Sequence, residues 1–101
     1  MAKKRKATDR TGACCWLCGR NGMGDPLEQH HIFGGANRAK SERYGLKVWL
    51  CGNRCHREGV QAAHRNKRTQ DKLHLYGQIK AMQEQGWTEE EFRREFGKSY
   101  L

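Results

Sequence analysis

Apolar residues fall into short runs divided by glycines and charge. Leu27, Ile32 and Phe33 enclose Glu28-Gln29-His30-His31 and stop at Gly34-Gly35, so residues 27–33 read as a short strand ending in a tight turn. Leu46-Lys47-Val48-Trp49-Leu50 alternates as a second strand, which predicts a hairpin of residues 27–32 with 46–50. Residues 34–45 between them have no clear period and are expected to form a long ordered loop, with a helical turn near 38–43. Later, Leu73, Tyr76 or Leu75, Ile79, Ala81 and Met82 recur at helical spacing, predicting a helix over residues 68–85 that Gly86 stops. Thr88 and Glu91 then have the spacing of a capping box, with Trp87 and Phe92 placed as a hydrophobic staple, so a second helix over 89–96 should end at Gly97. These helices are expected to be packing elements, with His74 on a helix face.

Composition makes that packing a problem. The 101 residues allow one domain, but only 36% are hydrophobic and the mean hydropathy is -1.05. A chain this polar needs a staple. The five cysteines, Cys14, Cys15, Cys18, Cys51 and Cys55, are an odd set with no apolar leader before them, which argues against a secreted disulfide framework. No apolar run reaches membrane-spanning length, so the expected setting is a soluble protein in a reducing, cytoplasmic compartment, where clustered cysteines bind metal.

Cys15-Trp16-Leu17-Cys18-Gly19 is a C-x2-C followed by the glycine that lets a knuckle's backbone close on its sulfurs. Cys51-Gly52-Asn53-Arg54-Cys55 supplies a C-x3-C, and Cys14 is left as a spare thiol. Together Cys15, Cys18, Cys51 and Cys55 predict a structural zinc site. Trp16 and Trp49 flank the cysteines and read as core, although exposed indoles there would suit stacking on RNA bases. The zinc would close a loop holding the histidine pair. On a strand, neighbouring imidazoles point to opposite faces, so one of His30 and His31 can hold a metal while the other takes a proton from water. His56 follows Cys55 directly, and His64 stands eight residues further on. In one continuous helix the two would be about 12 Å apart along the axis, too far to share an ion, so they meet only if the chain breaks at Gly59.

Charge suggests the partner. Lys and Arg number 20 against 11 acidic residues, a formal +9, as expected of a protein that binds a polyanion. Residues 1–13, with Lys3-Lys4-Arg5-Lys6, read as a disordered basic tail; Arg38, Lys40 and Arg43 are candidates for phosphate contact.

C-x2-C, His-His at a strand end, then C-x3-C with His immediately after, resembles the zinc-stapled HNH endonucleases of the ββα-metal, or His-Me finger, superfamily. The wording from Leu27 to Arg38, with Tyr44-Gly45-Leu46, Cys55-His56, His64 and the terminal Phe96-Gly97-Lys98-Ser99-Tyr100-Leu101, resembles small phage and prophage proteins similar to the RecA-dependent phage recombination nucleases. The resemblance implies a small α+β, zinc-stapled ββα-metal core over residues 14–66 with C-terminal helices over 67–101. It also implies a metal-dependent DNA endonuclease or nickase in the bacterial host cell. His31 would be the general base. His30, His56 and His64 would bind the catalytic divalent ion, magnesium, manganese, nickel or zinc, and Arg54, Arg57 or Arg65 would steady the phosphate. DNA, with a recombinase or another phage DNA-processing protein, would be the partner. The chain departs from the family in its middle asparagine: the usual place falls near Gly45, with Asn37, Asn53 and Asn66 as substitutes. That departure keeps open a non-catalytic zinc-stabilised DNA-binding or adaptor protein.

Overall fold

The computed structural model describes residues 13–101, so the basic tail, apart from Ala13, lies outside the described residues. The chain is a small α+β domain: strand β1 (Leu27–His31), a 3-10 turn (Gly35–Asn37), helix α1 (Arg38–Arg43), strand β2 (Lys47–Cys51), a wide π-type turn (Gly52–Arg57), and helices α2 (Lys67–Gln85) and α3 (Glu89–Phe96). β1 and β2 form a two-stranded antiparallel hairpin. No helix among the described residues is long and apolar enough to cross a membrane.

Two compact units are built on these elements. The first takes the described chain up to His30 together with Lys47–Asn66. In it Val48 and Leu50 alternate inward from β2, as a strand with one covered face requires, and Leu27 is buried from β1. Asp25 replaces the missing cap of the wide turn: its two carboxylate oxygens accept from the backbone amides of Asn53 and Arg54, each at 2.9 Å. Those amides hold the Asp25 carboxyl below the usual range.

The second unit comprises His31–Leu46 and Lys67–Leu101. Phe33 is its centre, with ring contacts to Phe92, Phe96, Tyr100 and, stacked at 5.3 Å, His74. β1 is shorter than residues 27–33 because a side chain takes over there. The Ser41 hydroxyl accepts from the Phe33 amide at 3.2 Å and donates to the Leu46 carbonyl at 2.6 Å. α2 buries only part of the expected stripe, Leu73 and Ala81. Leu75, Tyr76 and Ile79 are exposed, whereas Thr69, Leu73, Gly77, Gln78 and Ala81 are buried. Gly77 explains the choice, since a Cβ there would stand 2.7 Å from Ile32 Cγ2 and 2.9 Å from Phe33 Cε2. Only a glycine face admits those two side chains. Gln78 is buried beside it but satisfied, accepting from the Tyr100 amide and donating to the Ser99 hydroxyl.

α3 forms as its sequence specifies. Thr88 accepts from the Glu91 amide, the Glu91 side chain accepts from the Thr88 amide, and Gly97 closes the helix at φ 94°.

Candidate metal centres

The sulfur atoms of Cys15, Cys18, Cys51 and Cys55 come within 4.8 Å of one another. The knuckle turns because the Gly19 amide bonds to the Cys15 carbonyl and the Cys15 amide to the Arg20 carbonyl, while the Trp16 amide bonds to the Trp49 carbonyl beside Cys51. Gly19, at φ 81°, supplies the left-handed step. Cys18 and Cys51 have their sulfurs 3.5 Å apart, close to the roughly 3.8 Å edge of a tetrahedron with about 2.3 Å metal–sulfur bonds. Cys14 is exposed and outside the cluster.

The thiols' electrostatics also suit a cation. Burial opposes ionisation of Cys18, but hydrogen bonds from Arg20, Cys51 and Cys15 outweigh it and bring that thiol down to about 6. Burial pushes Cys51 up to about 11 and Cys55 upward as well, with the neighbouring thiols adding to the effect. Four thiolates this close would need a positive charge among them, which a divalent metal with sulfur affinity would supply. The donor set and spacing fit zinc.

A second cluster lies in the same unit. The ring nitrogens of His30, His56 and His64 also fall within 4.8 Å of one another, and His56 Nε2 and His64 Nε2 are 3.1 Å apart. Two nitrogens bound to one ion at about 2.1 Å with ordinary angles stand roughly 3.0–3.4 Å apart, so the spacing fits a shared ion. His30 meets both other rings edge-on, with centroids at 5.1 and 5.3 Å.

A single helix through His56 and His64 would have separated them, and the chain avoids it. The wide turn ends at Arg57, the Ala63 amide bonds to the Cys55 carbonyl, and the His64 amide bonds to the His56 carbonyl at 3.1 Å, laying residues 63–64 against 55–56. The buried Ala62 and Ala63 have side chains small enough for this approach. Gly59 permits the reversal, because a Cβ there would lie 2.0 Å from the Arg54 carbonyl oxygen. Gly59→Ala should therefore cost about 1–3 kcal/mol in thermal unfolding and weaken nickel binding at the histidines, with zinc still bound by the cysteines. Unchanged melting and nickel affinity would refute this role for the glycine.

Carboxylates complete the surroundings. Glu28 Oε1 accepts from His56 Nδ1 at 2.8 Å, and Glu28 Oε2 accepts from Arg57, whose guanidinium also donates to Asn53 Oδ1 at 3.0 Å. The bonds from His56 and then Arg57 hold the Glu28 carboxyl below its usual range. His64 is exposed as a residue, but partial desolvation of its ring, reinforced by His56, lowers its pKa and favours the neutral, ligating imidazole. In the second unit, His31 Nε2 lies 2.9 Å from Glu42 Oε1. An ionised carboxylate only accepts, so Nε2 carries the proton and Nδ1 is left to receive one.

No family model matches the chain, and no curated protein or solved structure gives a match. Glu28 and Glu42 are residues the sequence reading passed over, although Glu28 shares the face of His30 by strand periodicity. The cationic candidates divide. Arg38, Arg43 and Arg54 are exposed, whereas Lys40 donates to the Glu95 carbonyl, Arg65 to the Glu58 carbonyl, and Arg57 to Glu28. The substitute asparagines also have structural bonds: Asn37 to the Phe96 carbonyl, Asn66 to the Val60 carbonyl, and Asn53 from Arg57.

Proposed function

We propose that the protein is a metal-dependent DNA endonuclease or nickase that serves phage or prophage DNA processing. The observation supporting this reading most strongly is the convergence of His30, His56 and His64 in a unit that has its own four-cysteine cluster. A divalent cation held by these histidines supplies positive charge to a scissile phosphate and its leaving oxygen. His31, the next residue after His30, takes a proton from water at Nδ1 while Glu42 holds its other nitrogen. The water oxygen bonds to phosphorus, the bond from phosphorus to the 3′ oxygen breaks, and the departing oxygen gains its proton from solvent. Arg54, exposed in the unit that carries the three histidines, offers a cation for a flanking phosphate; Arg38 and Arg43 are exposed in the second unit, and the formal +9 of the chain favours a polyanion.

A plasmid-nicking assay tests the reading, using protein stripped of metal, given one equivalent of zinc, then supplied with magnesium or manganese. Nicking is expected only with the second metal. Binding to a labelled DNA duplex should weaken steeply as salt rises, and salt-independent binding would argue against phosphate contacts. A second reading, a zinc-stabilised DNA-binding or adaptor protein, is favoured by the structural bonds that occupy Asn37, Asn53 and Asn66. Salt-sensitive DNA binding without nicking under any metal would select it.

A further inference from the structure

Glu28 is held on several sides. One carboxylate oxygen accepts from His56 Nδ1 at 2.8 Å, the other from Arg57, and Arg57 is itself tied to Asn53 Oδ1. The backbone of Gly52 passes close by: a Cβ there would stand 3.1 Å from Glu28 Cδ and 3.2 Å from Oε2, so the wide turn leaves room for this carboxylate. Both Glu28 and His56 are substantially covered, with side chains 35% and 15% exposed.

We propose that Glu28 is the positioning residue of the histidine metal centre, fixing both the tautomer and the direction of His56, with Arg57 and Asn53 bracing it. The proposal rests on the reading that the three histidines hold a divalent ion, and it assigns Arg57 to the carboxylate instead of to a phosphate. A neutral imidazole carries one ring proton. Because a carboxylate only accepts, that proton sits on Nδ1, and the Nε2 lone pair is presented towards His64 Nε2, 3.1 Å away. Without Glu28, His56 can turn, or place its proton on Nε2, and either change removes a ligand.

The test uses the full chain with one equivalent of zinc and nickel(II) as the probe, comparing wild type, Glu28→Ala, Glu28→Gln and His56→Ala by calorimetric titration. Glu28→Ala should lose about 10–100-fold in nickel affinity. Glu28→Gln should recover most of it, because the amide oxygen still accepts from Nδ1–H, and this rescue separates positioning from a loss of folding. Nitrogen-15 NMR of His56, recorded before nickel is added, should show the Nδ1-protonated tautomer in wild type and Glu28→Gln and a mixture in Glu28→Ala. Wild-type affinity in Glu28→Ala, equal losses in Ala and Gln, or an Nε2-protonated His56 in wild type would each overturn the proposal. Nickel binding that His56→Ala leaves unchanged, alongside the expected tautomer, would instead overturn the metal reading and the positioning role that depends on it.

Discussion

Replacing His31 with alanine should reduce plasmid nicking by at least about a hundredfold, within the ~10²–10⁴ that a positioned general base contributes. DNA affinity, zinc content and nickel binding should stay at wild-type values. The separation is expected because His31 belongs to neither ligand set: its Nε2 is engaged by Glu42, and its ring nitrogens are not among those clustered with His56 and His64. Its side chain is only 14% exposed, yet the imidazole is not stacked on the Phe33 group, so truncation to alanine leaves that packing in place. Nicking by His31→Ala at the wild-type rate would remove the residue from the chemistry. Loss of nickel binding in the same variant would instead make it a ligand.

Cys51→Ser should have the larger effect on folding. Cys51 is 0% exposed, ends β2 and begins the wide turn that carries Cys55 and His56, so its sulfur joins the hairpin to the knuckle. Structural zinc in small domains contributes on the order of 10–16 kcal/mol of apparent binding energy, comparable with or above the roughly 5–15 kcal/mol by which a domain is stable at all. A serine hydroxyl neither ionises at neutral pH nor binds zinc comparably, and it leaves a polar atom in a buried place. The expected result is loss of stoichiometric zinc and of a cooperative melting transition. Removing zinc from the wild type with a chelator should reproduce it. A normal melting curve with zinc retained would show that the remaining three cysteines suffice.

Several elements were legible because their causes are local. The Thr88–Glu91 capping box and Gly97 specify α3 by themselves, since the cap bonds and the left-handed closing residue lie within the helix's own ends. Cysteine spacing indicated a metal cluster for a similar reason: each pair sits within one turn, so proximity within a pair follows from the chain. The alternation of Val48 and Leu50 marked β2 because a strand has only two faces. What no local pattern indicated was which helix face α2 would bury. Of the periodic positions Leu73, Tyr76 or Leu75, Ile79, Ala81 and Met82, the packing buries Leu73 and Ala81, on the face bearing Gly77, and leaves Leu75, Tyr76 and Ile79 exposed, because Ile32 and Phe33 need the space that a missing side chain leaves.

The histidine centre shows the same division. The sequence by itself determined that His30, His31, His56 and His64 exist near cysteine pairs, and that chain direction would have to break near Gly59 for the distal two to meet. Tertiary structure decided that it does break: the 55–56 and 63–64 backbones bond to each other, and His56 and His64 end with nitrogens 3.1 Å apart. It also brought Glu28 to His56 and Glu42 to His31, across 28 and 11 residues of chain. Such pairs have no period to betray them, because a hydrogen bond between side chains distant in sequence depends on where the backbone is carried and not on what lies beside each residue along it.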